Sequence, residues 1–196
     1  MADELKRRLV HASGAGLVAL YLLAAHFDLG LTWARFQALM IVLALGAIAL
    51  EVLRLQVGLE WWIYDKLTRE YEADQFAGYG YYMVSMTFAV LVFPEPLALA
   101  GMLMLAIGDP LSGLVSDNTL KRVKHPKTLA TMLVVSTLLA LPFFLEAPQV
   151  AVAAAIGATI ADGIKVQLGD FILDDNLTIP IYAGVLGYLA LEFVPL

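Results

Sequence analysis

The sequence predicts an all-α, polytopic integral membrane protein with about seven transmembrane helices and a cytoplasmic N-terminus. Three observations predict it. Of 196 residues, 61% are hydrophobic and 15% charged, with a mean hydropathy of +0.80, where a soluble domain is about half apolar and a quarter charged. The apolar residues gather in stretches near the ~20 residues that a helix needs to cross the hydrocarbon core. The cations are one-sided: with the N-terminus inside, Arg35 alone of the twelve Lys and Arg residues falls outside, an asymmetry that orients membrane helices. No segment is long or polar enough for a separate soluble domain, so residues 1–196 read as one transmembrane domain. Cysteine is absent, which excludes disulfides, thiolate metal sites and cysteine nucleophiles. Nothing in the chain points to a nucleic-acid partner.

The first span, 9–27, follows Lys6-Arg7-Arg8. It reads as a membrane helix rather than a signal peptide, because six further spans follow and no convincing cleavage site is present. The second, 33–53, opens on Trp33, and the third, 77–93, carries Tyr79, Tyr81 and Tyr82, aromatics suited to a membrane interface. Between them, Leu59, Trp62, Ile63 and Lys66 recur at helical spacing. Residues 53–74 therefore predict either an interfacial helix anchored by Trp61, Trp62 and Tyr64 or a solvated connecting helix. The remaining spans are 96–116, 128–145, 148–164 and 179–195. Outer connections (26–32, 94–95, 146–147) are short, and inner ones (54–76, 117–127, 165–178) are long and polar. Any chemistry belongs on the cytoplasmic side.

The fourth span carries the sharpest anomaly, in LAIGDPLSGLVSDNTLKRVKHPK (105–127). A carboxylate inside a membrane helix costs roughly 2.5–3.5 kcal/mol and needs a partner or a water-lined pocket. Asp109 lies about 10 Å from the inner end of the span, with Ser112 and Ser116 on its face at i+3 and i+7. Pro110 has no N–H for the carbonyl of Ala106, so the helix should bend and leave that acceptor free. Other polar residues need explanation too. His11 shares a face with Arg7 and Arg8. Glu51 and Asp162 sit near inner helix ends, where local ion pairs with Arg54 and Lys165 compete with a functional reading. Lys121, Arg122, Lys124, His125 and Lys127 load the inner side with positive charge, and Pro126 starts the fifth helix. The exposed N–H groups of that helix, beside Lys124 and Lys127, favour phosphate. Asp174, Asp175 and Asn176 precede the seventh helix, with Pro180 near its first turn. One helix cap needs only one of the three, and adjacent hard oxygens suit Mg²⁺.

Gly108-Asp109, the Lys127-Thr128 pair and above all DDNLTIP (174–180) resemble motifs of the CTP-dependent lipid kinases. That family comprises dolichol kinase, phytol kinase and the CTP-dependent diacylglycerol kinase, and is related to the phosphatidate cytidylyltransferases. The resemblance spans nearly the whole chain, including the Arg8/His11 pair. It implies transfer of the γ-phosphoryl group of CTP to the hydroxyl of a membrane isoprenoid alcohol, dolichol or polyprenol before others. It also implies Mg²⁺ held by Asp109, Asp174 and Asp175 with Asp162 in support. Lys121, Arg122, Lys124 and Lys127, with Thr128 and Asn176, would bind the nucleotide phosphates. Asp109, Asp175 or His11 would take the hydroxyl proton. The chain departs from the family at Pro110, at Ser116-Asp117-Asn118, at Thr131-Met132 and at Asp162, where the family has glutamate. Two alternatives stand beside the kinase. A cytidylyltransferase would use similar carboxylates but direct attack to the α-phosphorus. A transporter would use the acids as an ion path, although its site would sit at the midplane rather than at one surface.

Overall fold

A computed structural model of the chain describes residues 2–59, 61–62, 64, 68, 72–116, 122–165, 167–168 and 171–193. It is a helical bundle. The only named strands among the described residues are Gln167–Leu168 (β1) and Phe171–Ile172 (β2), which form an antiparallel ladder. Five helical stretches are long and apolar enough to cross a membrane: Arg8–His26, Trp33–Val57, Glu95–Leu114, Pro126–Phe143 and Asp175–Phe193. The protein is membrane-embedded. The other two predicted spans form helices of 15 and 16 residues, Gly78–Val92 and Pro148–Gly163, short of the ~20 residues of a full crossing.

The first predicted span is broken into α1 (Ala2–Ser13) and α2 (Ala15–His26). Gly14 stands between them because a Cβ there would lie 1.8 Å from the Tyr82 hydroxyl. That hydroxyl donates to the carbonyl of His11 at 2.9 Å. Next comes α3 (Trp33–Val52), which runs into a π-helical turn at Leu53–Val57. Gly58, at φ 71°, ends it, so no continuous helix crosses 53–74. Leu59, Trp61 and Trp62 are exposed beyond the break, and Ile63 and Lys66 lie outside the described residues.

Arg54 ties this end of α3 to α4 (Gly78–Val92). The carboxylate of Glu51, fully buried, accepts from Arg54 Nε and Nη2 at 2.9 and 2.8 Å and from the Ala77 N–H at 2.8 Å. The same guanidinium donates to the carbonyls of Glu72, Ala73 and Gln75. The local ion pair read from the sequence is thus real, and it also clamps the approach to α4. Arg54→Ala should lower unfolding stability in detergent by about 3–5 kcal/mol, because it strands a buried carboxylate. Arg54→Lys should recover only part of that, since an ammonium lacks the planar fork.

The chain continues through α5 (Glu95–Leu103), a π-helical turn (Met104–Gly108) and α6 (Asp109–Leu114). Then come α7 (Pro126–Ala140), α8 (Pro148–Gly163) and α9 (Asp175–Phe193). In lipid, helices associate by close packing and polar contacts rather than by burial of oil, so small residues line their interfaces. A Cβ on Gly157 of α8 would lie 2.2 Å from the Tyr182 carbonyl oxygen of α9, and one on Gly101 of α5 would touch the backbone of Pro180. Met40, Met86, Met102, Met104 and Met132 fill the centre without exposure, as flexible side chains can in an irregular interior.

The last helix begins at Asp175, four residues before the predicted 179, so Pro180 lies inside it. Its missing N–H orphans the carbonyl of Asn176. Ser85 of α4 donates to that carbonyl at 2.5 Å, which pins the start of α9 to α4.

Candidate active site

The site is organised by the irregularity around Asp109. The Asp109 N–H reaches back five residues to the Met104 carbonyl, a π-helical bond. In that register Pro110 orphans the carbonyl of Leu105, not that of Ala106 as α-helical spacing predicts. His11 Nε2 donates to the Leu105 oxygen at 2.9 Å. A carbonyl only accepts, so Nε2 carries the proton and Nδ1 is the basic nitrogen of the neutral ring. The same Nε2 lies 3.6 Å from Asp109 Oδ2, and the Tyr82 ring meets the imidazole edge-on at 4.5 Å. One π-turn, of a kind often found at functional sites, therefore fixes both His11 and Asp109.

Three carboxylates converge there. Asp109 starts α6, Asp162 ends α8 and Asp175 starts α9, and each offers an oxygen within 4.8 Å of the other two. Asp162 is buried, while the side chains of Asp109 and Asp175 remain 22% and 33% exposed. Ser112 Oγ joins two of them, donating to the Asp109 carbonyl at 3.0 Å and to Asp162 Oδ2 at 3.1 Å, with its single proton shared between the two. Ser116, expected on the same stripe, lies beyond the end of α6.

Lys124 enters this group from a loop. Its N–H donates to the Gly163 carbonyl at 2.9 Å, and the Lys165 N–H donates to Arg122 at 3.1 Å, around a bridge between Val123 and Ile164. Lys124 Nζ then lies 2.5 Å from Asp162 Oδ1 and 3.5 Å from Asp175 Oδ2. Asp162 thus pairs with Lys124, 38 residues away, instead of Lys165. Burial pushes the Lys124 ammonium down, but Asp175, Asp162 and Asp109 outweigh it and raise its pKa above the ordinary lysine value.

The adjacent acids are split. Asp174 Oδ1 accepts from the Asn176 N–H at 2.8 Å and from Asn176 Nδ2 at 2.7 Å, which makes Asp174 the cap of α9. Asp175 is the member of the pair that lies among the three clustered carboxylates. Asn176 is 4% exposed, and its Oδ1 has no hydrogen-bond partner.

The expected phosphate site at the start of α7 is also changed. His125 Nδ1 accepts the Lys127 N–H at 3.3 Å, and the His125 carbonyl takes those of Thr128 and Leu129. These donors are already satisfied. Arg122 and Lys127 are exposed near this turn, while Thr128 is wholly buried with Oγ1 unpartnered. Lys121 lies outside the described residues. Arg8 packs against Gly113, one turn beyond Asp109: a Cβ on that glycine would lie 3.4 Å from its guanidinium carbon.

The donor set fits Mg²⁺, which takes hard oxygens and commonly one or two carboxylates beside phosphate oxygens. Sequence reasoning missed the supports: Ser85, Tyr82 and the Leu105 carbonyl. The two prolines signal that a carbonyl is freed in each helix, but not which side chain answers it. No protein-family model, curated protein or solved structure matches this chain.

Proposed function

We propose that the protein is a CTP-dependent lipid kinase, transferring the γ-phosphoryl group of CTP to the hydroxyl of a membrane isoprenoid alcohol, dolichol or polyprenol. The observation that carries this reading is the meeting of Asp109, Asp162 and Asp175 from three helices around Lys124, with His11 beside Asp109. Phosphoryl transfer asks a protein chiefly for positioning and charge neutralisation. Asp109, Asp162 and Asp175 would hold Mg²⁺, which when bound neutralises phosphate charge. Lys124, with Arg122, Lys127 and Lys121, binds the triphosphate. The hydroxyl oxygen of the lipid bonds to the γ-phosphorus as the bond from that phosphorus to the β–γ bridging oxygen breaks. The electron pair of the broken bond leaves with CDP. The hydroxyl proton passes to His11 Nδ1 or to a carboxylate of Asp109 or Asp175.

In this reading the site faces the cytoplasm, seven helices cross the bilayer and the N-terminus is inside. The one-sided cations support that orientation, and the two shorter helices complete the count.

The test supplies purified protein with Mg²⁺, polyprenol or dolichol, and CTP labelled at the α or the γ phosphate. The expected product is a lipid labelled from γ only, formed faster with CTP than with ATP. Label from α would make the protein a cytidylyltransferase, and a lipid unlabelled from both positions would overturn the enzymatic reading.

A further inference from the structure

Lys124 stands inside the acidic centre rather than beside it. Its Nζ lies 2.5 Å from Asp162 Oδ1 and 3.5 Å from Asp175 Oδ2, so one ammonium bridges carboxylates from α8 and α9. The backbone beneath it is tied down. The Lys124 N–H donates to the carbonyl of Gly163, one residue past Asp162, and the neighbouring Val123 pairs with Ile164. We propose that this ammonium fills the place of a second metal ion, so that Asp109, Asp162 and Asp175 take one divalent cation and not two. The inference rests on the kinase reading and deepens it, since it sets how many ions the site uses.

Two-metal centres that handle phosphate hold their ions about 3.5–4 Å apart, and charges that close repel strongly unless anionic oxygens stand between them. Here the oxygens that would face a second ion, on Asp162 and Asp175, already face Lys124. Charge leads to the same number. Three carboxylates and one ammonium leave two formal negative charges, which a single divalent ion cancels. A second ion would turn the centre positive and crowd two metals against an ammonium. Access separates the roles of the acids. Asp109 and Asp175 are partly exposed, whereas Asp162 is buried, with Oδ1 on Lys124 and Oδ2 accepting from Ser112 Oγ. An arriving ion therefore meets Asp109 and Asp175 first, and Asp162 holds the lysine in place behind them. The ammonium then supplies the positive charge that a triphosphate would otherwise draw from a second metal.

Mn²⁺, a paramagnetic ion that shares the preference of Mg²⁺ for oxygen ligands, tests this without nucleotide or lipid. Titrated into the full chain in detergent and followed by electron paramagnetic resonance, it should show one bound ion per chain that Asp175→Asn removes, with no signal from an exchange-coupled pair. Lys124→Met should bind that ion about tenfold more tightly, having lost a like charge beside it. Lys124→Glu, which adds a carboxylate at the bridge, should take up a second ion coupled to the first. A coupled pair in the unsubstituted chain overturns the proposal, as does a folded Lys124→Glu that holds a single ion. Should Lys124→Glu fail to fold, Lys124→Met decides, and an unchanged Mn²⁺ affinity in it overturns the proposal too. Transfer of γ-label by a chain that holds a coupled pair would sink this assignment and spare the kinase. One uncoupled ion without any label transfer would do the reverse, and no bound Mn²⁺ would remove the metal site along with the proposal.

Discussion

Asp109→Asn and Asp175→Asn should each reduce transfer of γ-label to lipid by about a thousandfold or more, the scale on which loss of one preorganised charge-stabilising group is felt. The amide is nearly isosteric with the carboxylate, so helix content should be retained. What is lost is an anionic oxygen from a set whose members lie within 4.8 Å of one another. Asp174→Asn is the discriminating control. Asn caps helices about as well as Asp, and Asp174 serves as a cap, so this variant should keep most of its activity. Equal losses in Asp174→Asn and Asp175→Asn would restore the acids as a joint pair. Near-normal activity in both Asp109→Asn and Asp175→Asn would remove the site. Lipid labelling in single turnover, with thermal unfolding beside it, reads all three.

Lys124→Met should be damaged in two ways that a divalent cation separates. Its ammonium lies against Asp162 and Asp175, and removing it leaves the buried Asp162 without its cation. In EDTA the variant should lose about 3–5 kcal/mol of stability, the cost of breaking a buried pair from one side. Adding Mg²⁺ should raise its Tm more than that of the unsubstituted protein, because a cation binding only the folded state stabilises it by mass action. Turnover should stay low even with Mg²⁺, by about a hundredfold, for want of a cation on the triphosphate. The pH sign follows from the raised Lys124 pKa. Its contribution is fully present below the unfolded value of about 10.4 and lost only as pH rises through the higher folded value. From roughly pH 6 to 9 the ammonium should therefore stay protonated. A variant melting like the unsubstituted protein in EDTA, with full turnover, would sink the assignment.

Much of the site was legible because it is local. Asp109 in an apolar run stands out on solvation cost alone, and Pro110 announces that a carbonyl is freed nearby. Which carbonyl it is depends on helix register, and packing against α7 and α1 decided for π over α. Gly108 illustrates this: a Cβ there would lie 3.2 Å from Met132 Sδ and from Ser136 Oγ. Asp174 and Asp175 are equivalent by composition. They diverge because one precedes the helix and bonds Asn176, while the other lies inside it and meets Lys124.

The residues alone establish that the chain is helical and membrane-embedded and that acids intrude on its apolar stretches. Composition, periodicity and transfer cost are properties of short stretches and need no partner. Only the tertiary structure decided that Lys124 rather than Lys165 answers Asp162 and that His11 answers Leu105. Each of those contacts joins residues far apart along the chain. Their distances are set by how closely glycine- and alanine-lined helices approach, which no local pattern encodes.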